Sequence, residues 1–352
     1  MLGSRLSALE SRKLQLAGGS TYLVSLPKRW VLGAGLKAGD TVFLETSRDG
    51  SVSIRPNVRD RVEVRRKIFD VHEEDNRDHL LRKLVGAYVG GFGLIEIRFP
   101  PANASFIRRV AREFCRLVIG PEVIEETKTS LVIQDLSDAT DLVVDKCLRR
   151  MQLTVRAMLE DSVSALRNGD QQLAHDVELR GQDVNRLYWM IAKQYHFTQA
   201  YPFHNGSNGH NASNGSTAAV TGYLLIARHL ERIGRHARRI AANCRALSGE
   251  KPLDSKVLKE IDDARQSLVS LLDMAFGALV TRNIVLANEA IDARGNHEKL
   301  IETLTHRVAG KRGEELLALA NVVDSLGRAA VYTSEIAEQG IDIAVMTEPE
   351  PT

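Results

Sequence analysis

Two short runs of the same design lie far apart in this chain. Glu231-Arg-Ile-Gly-Arg235 and Asp324-Ser-Leu-Gly-Arg328 each set an acid four residues ahead of an arginine. On a helix that spacing places carboxylate and guanidinium side by side, where they form an ion pair. With a further arginine nearby they admit an anion instead, and both readings stand at this level. A third run, Arg108, Arg112 and Arg116 with Arg109 beside them, falls at i, i+4 and i+8, opposite Ile107, Val110, Phe114 and Leu117. It reads as the wet face of an amphipathic helix, or as a surface for DNA or an anionic ligand. Catalytic chemistry is absent from the pattern. Cys115, Cys147 and Cys244 are widely spaced with no CxxC, and read as buried apolar residues of a reducing compartment. Gly33-Ala-Gly35 lacks the GK[ST] of a phosphate loop, and the glycines from Gly86 to Gly93 precede a strand where a phosphate loop must follow one. They read as a helix C-cap and turn. His204 and His210 sit in the low-complexity tract HNGSNGHNASNGST, where solvated loop histidines are expected rather than ligands. No Ser-His-Asp, Cys-His or paired-carboxylate set stands out, so the chain is not expected to be an enzyme.

The 352 residues suit two or three domains. A 43% hydrophobic and 26% charged composition excludes a mainly disordered protein. The 47 Lys+Arg and 45 Asp+Glu nearly cancel, so any nucleic-acid binding must come from a local patch. Residues 1–13 hold no apolar core of a signal peptide, and no run is long enough to span a membrane. A cytoplasmic protein is expected.

Residues 1–57 read as a small β-rich unit: strands at Lys13–Leu16, Ser20–Leu26, Thr41–Thr46 and Val52–Arg55, a short helix opened by Pro27, and an Asp49-Gly50 hairpin turn. Strands this short do not bury enough surface alone, and a second copy is the simplest partner. The run GGSTYLVSLPKRW at Gly18–Trp30, then LKAGD at Leu36–Asp40 and the DG hairpin, resembles the SpoVT/AbrB/MazE swapped-hairpin DNA-binding domain. That resemblance implies two chains interlaced into a barrel-like dimer, with Arg12, Lys13, Lys28 and Arg29 in the places that contact DNA. Residues 1–58 carry eight basic and four acidic side chains, an excess that suits phosphate contacts. Solvated charges on a purely dimerising module are the other reading.

Residues 58–137 alternate strands and helices in the order β-α-β-α-β-β: 61–69, 77–89, 94–99, 106–118, 122–126 and 131–135. The pattern predicts a small α/β layer with both helices on one face.

From 138 onward the pattern is helical, with helices over 138–167, 170–199, 217–248, 254–281, 284–309 and 312–342. They form two similar threes. Ala165-Leu166 matches Ala278-Leu279, and Leu173-Ala174 matches Leu286-Ala287. The two acid-to-arginine runs match in the third helix of each. The expectation is a duplicated three-helix unit, 138–250 and 251–345. LRNGDQQLAHDVELRGQDVNRLYWMI from Leu166 and LLIARHLERIGRHARRIA from Leu224 resemble the PhoU family of phosphate-uptake regulators, and archaeal proteins of this type set a SpoVT/AbrB domain ahead of a PhoU pair. The resemblance implies control of phosphate uptake, mostly repressive, in some members through a transporter and a sensor kinase. It also implies iron or zinc clusters held by E/D-x-x-x-D pairs. Here those places hold Glu231 and Arg235, Asp324 and Arg328, Arg294 and Glu298, and Gly181 and Asn185. No metal or other cofactor is therefore expected, and the arginines should pair with Glu231, Glu298 and Asp324 or hold an anion. The fold expected is multidomain α+β: a swapped-hairpin barrel dimer, a small α/β domain and duplicated helical bundles. Two functions follow. One is a homodimeric regulator of phosphate uptake that binds double-stranded DNA. The alternative is an adaptor that touches a phosphate transporter or kinase, its first domain only dimerising.

Overall fold

The computed structural model describes residues 10–46, 50, 52–55, 64–72, 76–137, 144–200, 217–247 and 253–347. His204, His210 and most of the Asp49-Gly50 turn lie outside them. The chain divides into two compact units, Met1–Val64 and Arg65–Thr352.

In the first unit, β1 (Gln15–Ala17) pairs antiparallel with β2 (Thr21–Leu23), register Gln15↔Leu23. Gly18 and Gly19 make the turn at φ 62° and 80°, a region glycine enters without strain. Pro27 caps α1 (Lys28–Gly33). The Asp40 carboxylate accepts from the Lys37 amide at 2.7 Å and closes the next turn. β3 (Phe43–Thr46) then pairs with β4 (Val52–Arg55). β1 to β3 are shorter than the pattern predicts, and the two hairpins stay separate two-stranded sheets within one chain. None of the described residues of this unit is buried. Leu16, Tyr22, Leu32, Phe43, Leu44 and Val52 all stand exposed.

The second unit begins with an α/β domain. β5 (Arg66–Asp70), α2 (Arg77–Val89), β6 (Leu94–Arg98), α3 (Ala104–Leu117), β7 (Pro121–Glu126) and β8 (Ser130–Asp135) follow in order. The sheet order is β5-β6-β8-β7, with β5 parallel to β6 and the other pairs antiparallel. Strand alternation aims Ile95, Ile97, Leu131 and Ile133 at one face. There they share one core with Leu80, Leu84 and Tyr88 of α2 and Ile107, Val110 and Phe114 of α3. Asn76 caps α2, its side chain accepting from the Asp78 amide at 2.7 Å. Gly91 leaves that helix at φ 74°.

The helical half holds α4 (Val144–Asn168), α5 (Gln171–Ala200), α6 (Thr217–Ala242), a short α7 (Cys244–Leu247), α8 (Ser255–Thr281), α9 (Ile284–Val308) and α10 (Gly313–Thr347). The predicted third helix is broken at Asn243, whose side chain donates back to the Arg239 carbonyl at 2.6 Å. Both three-helix units share one continuous core. Equivalent helices meet, α4 on α8 and α6 on α10, as an approximate two-fold requires.

The duplication reaches the backbone. Between α4 and α5, Gly169 takes φ 65°, the Asp170 amide bonds to the Ala165 carbonyl, and the Asp170 side chain caps Leu173. Between α8 and α9, Arg282 takes φ 53°, the Asn283 amide bonds to Ala278, and the Asn283 side chain caps Leu286. Each position matches its counterpart at one constant offset.

α5 also carries the α/β domain. Trp189 packs against that domain's core. Lys193 is nearly buried, and its ammonium donates to Asp135 and, at 3.0 Å, to the Ser137 hydroxyl. The same ammonium lies 5.2 Å from the Tyr88 ring centre. Tyr88 donates to the Ile119 carbonyl at 3.0 Å, and burial pushes its phenol pKa up. Removing one partner of a buried ion pair strands the other charge, at a cost of about 3–5 kcal/mol. Lys193→Met should therefore destabilise the chain by about 3 kcal/mol in urea unfolding followed by tryptophan fluorescence. Adding Asp135→Asn should restore more than half of that loss.

Candidate functional site

Lys28 and Arg29 open α1, and Arg12 and Lys13 lead into β1. Because Gln15 faces Leu23, both basic pairs emerge from the same end of the β1–β2 ribbon, away from the glycine turn. All four side chains are exposed. Arg12 is tied to Glu10, whereas Lys13, Lys28 and Arg29 make no ion pair among the described residues.

The second candidate lies where α6 meets α10. Glu231 is 9% exposed and accepts from Arg235 at 2.7 and 3.0 Å and from Arg228 at 3.2 Å. Asp324 accepts from Arg328 at 3.0 Å and from Arg239 at 2.8 Å. Arg239 belongs to α6 and also donates to Asn321 at 2.5 Å, so it joins the two three-helix units. Arg294 and Glu298 pair with each other on α9 at 3.1 Å. Beside these pairs, Arg232 lies over the Tyr332 ring at 5.2 Å, and the rings of His229 and His236 sit 6.1 and 5.8 Å from it. Burial, and then the charges of Arg232 and Arg228, push the His229 imidazole down to about 4.

The space beside Gly181 is filled. A Cβ built on the glycine would stand 2.1 Å from Arg238 Cδ, so the stem of Arg238 occupies that space. The Arg238 guanidinium then reaches Glu178 of the same helix, α5, 3.6 Å away. Sequence reasoning missed Arg228, Arg232 and Arg239. Their signal was present, since 228, 232, 235 and 239 step by four, three and four along one face of α6.

Residues 148–244 match the family model described as the PhoU domain. The chain carries a PhoU domain. Residues 15–62 match a second family model, "Antidote-toxin recognition MazE, bacterial antitoxin". Among solved structures, PhoU from Pseudomonas aeruginosa aligns with a TM-score of 0.50 and 20% identity, over 58% of this chain and 96% of its own. The phosphate transport system regulatory protein PhoU from Streptococcus pneumoniae aligns with a TM-score of 0.50 and 15% identity, over 57% and 92%. At those identities the likeness shows the fold. It spans more of the chain than one three-helix unit, whereas the PhoU domain match covers the first unit alone. No curated protein matches the chain. No helix among the described residues is long and apolar enough to cross a membrane.

The residues at the metal positions implied by the PhoU resemblance do not fit a metal cluster. Cations of that kind need several converging anionic or imidazole ligands. Among the described residues no three His, Cys, Asp or Glu side chains gather to hold a metal. Glu231 and Asp324 each face two guanidiniums, and Arg238 fills the space at Gly181. Elemental analysis of purified protein should find no stoichiometric iron or zinc, and EDTA should leave the melting temperature unchanged. A chelator-induced drop in melting temperature would reveal a metal that these pairs do not accommodate.

Proposed function

We propose that the chain is a cytoplasmic transcriptional regulator of phosphate uptake, mainly repressive, that binds double-stranded DNA as a homodimer or larger assembly. The PhoU domain supports the phosphate connection, and one solved relative is titled a phosphate transport system regulatory protein. The MazE-type domain supports self-association and DNA contact. Both matched families are regulatory, in keeping with a protein that is not an enzyme.

One observation carries the reading: the first unit exposes its apolar strand residues while both basic pairs leave the same end of its first ribbon. Covering a large apolar side chain contributes roughly 1.5–3 kcal/mol. Leu16, Tyr22, Leu32, Phe43, Leu44 and Val52 from each of two copies, even partly covered, outweigh the ~4–15 kcal/mol that association costs. A second copy of the unit is the occupant whose strands match these. Dimerisation in turn doubles the set Arg12, Lys13, Lys28 and Arg29 and presents it to two stretches of phosphate backbone.

The full chain should sediment as a dimer or larger at micromolar concentration, and Leu16→Asp with Leu44→Asp should yield smaller species. In gel shifts on the DNA upstream of its own gene, each phosphate contact removed should lower the salt slope by about 1. The quadruple alanine variant of Arg12, Lys13, Lys28 and Arg29 should therefore lose most of its binding while the assembly persists. An intact dimer with no DNA binding in the parent chain would favour the adaptor reading, in which the helical half docks a transporter or kinase.

A further inference from the structure

The arginine face of α3 is not simply solvated. It forms one wall of a groove whose other wall is β7, one of the two edge strands of the sheet. The groove encloses about 330 Å³, at the lower end of the size of small-molecule sites. Arg108, Arg112 and Arg116 line it one helical turn apart. Arg108 is engaged, donating to Glu126 at 2.5 Å. Arg112 and Arg116 are exposed and make no ion pair among the described residues. Between them the floor is apolar, built by Cys115, Val123 and Leu131.

The geometry points to a binding site for a small molecule that carries a phosphoryl or diphosphoryl group. A guanidinium presents a planar fork of donors that matches phosphate oxygens two at a time. Two such forks on neighbouring turns, about 5–6 Å apart at their Cβ atoms, suit one phosphate clamped from two sides or two linked phosphates. Glu122 at the same groove accepts from hydroxyl or amine groups on the rest of the ligand, and the apolar floor takes its carbon skeleton. The pairing of Arg108 with Glu126 fixes one end of the groove, so the free positive charge is confined to the other.

The strand wall decides against duplex DNA as the occupant. Glu122, Glu125 and Glu126 are all exposed along β7. A polyanion laid along this surface would meet that row of carboxylates, whereas a small ligand set against α3 meets Arg112 and Arg116 on one side and, on the strand side, only Glu122 as a lining carboxylate not paired with an arginine among the described residues. A bulge between Val123 and Glu125 interrupts the β7–β8 register, so the edge does not present a regular ladder to an added strand. The site goes beyond the regulator reading and does not depend on it. A chain that binds DNA but no phosphate probe overturns the groove alone, and one that binds the probe without DNA leaves it standing.

The test is calorimetric titration of the full chain with inorganic phosphate, pyrophosphate and AMP at fixed ionic strength, with sulfate and chloride as controls. Saturable binding of at least one phosphate probe is expected. Arg112→Gln with Arg116→Gln should weaken it at least tenfold, and Arg109→Gln, outside the groove, should change it less than twofold. A second readout uses Cys115, a half-buried thiol in the groove floor that burial, and then the charge of Glu122, push up to about 11. The bound probe should slow maleimide labelling of Cys115 severalfold in the parent and not in the double variant. The inference is overturned by the absence of saturable binding, by equal loss in the Arg109 variant, by binding that follows salt alone, or by DNA protecting Cys115 where the small probes do not.

Discussion

Two carboxylates of the helical half, Glu231 on α6 and Asp324 on α10, are each answered by two guanidiniums, and this charge balance decides what those two positions can hold. Glu231 is close to buried, so a bare carboxylate there would carry a large desolvation penalty. Arg235 and Arg228 remove that penalty from within α6. Asp324 takes one of its arginines from its own helix and the other, Arg239, across the seam. The two three-helix units are therefore held by a shared apolar core and by a polar contact that fixes the alignment of α6 against α10. A multivalent cation at either carboxylate would have to displace fixed positive charge.

The two small strand-bearing parts of the chain meet the same demand for burial in different ways. The α/β domain satisfies it internally, with both helices on one sheet face, and then locks onto α5 through Trp189 and the Lys193–Asp135 pair. The first unit leaves its apolar strand residues in water. Within one polypeptide, then, one small domain has a core of its own that also meets the helical half, and the other has no buried residue among those described.

Much of this was legible in the residues. The helices read over 77–89, 254–281 and 284–309 agree within a residue with Arg77–Val89, Ser255–Thr281 and Ile284–Val308, which Asn76, Asp254 and Asn283 cap. The repeat was visible in paired Ala-Leu and Leu-Ala steps, and its deepest expression, the matched left-handed turns at Gly169 and Arg282, was not. An arginine gives no hint of positive φ, since only the surrounding hydrogen bonds impose it. The acid-to-arginine spacing within each helix could be read directly, because i and i+4 are neighbours on any helix. Arg239 reaching Asp324 could not, because it depends on how two helices 85 residues apart in sequence come together. The groove beside α3 shows the same limit. The arginine stripe was plain, but its facing wall came from a strand that only the tertiary fold sets beside it.

Gly181 and Arg238 bring α5 and α6 together through the absence of a side chain. Any side chain at 181 would meet the stem of Arg238, so the arginine would have to leave that course and its approach to Glu178 with it. The glycine therefore serves as a notch: the smallest residue on α5 admits a long side chain from α6, and the two helices are keyed there by one side chain passing over a missing one.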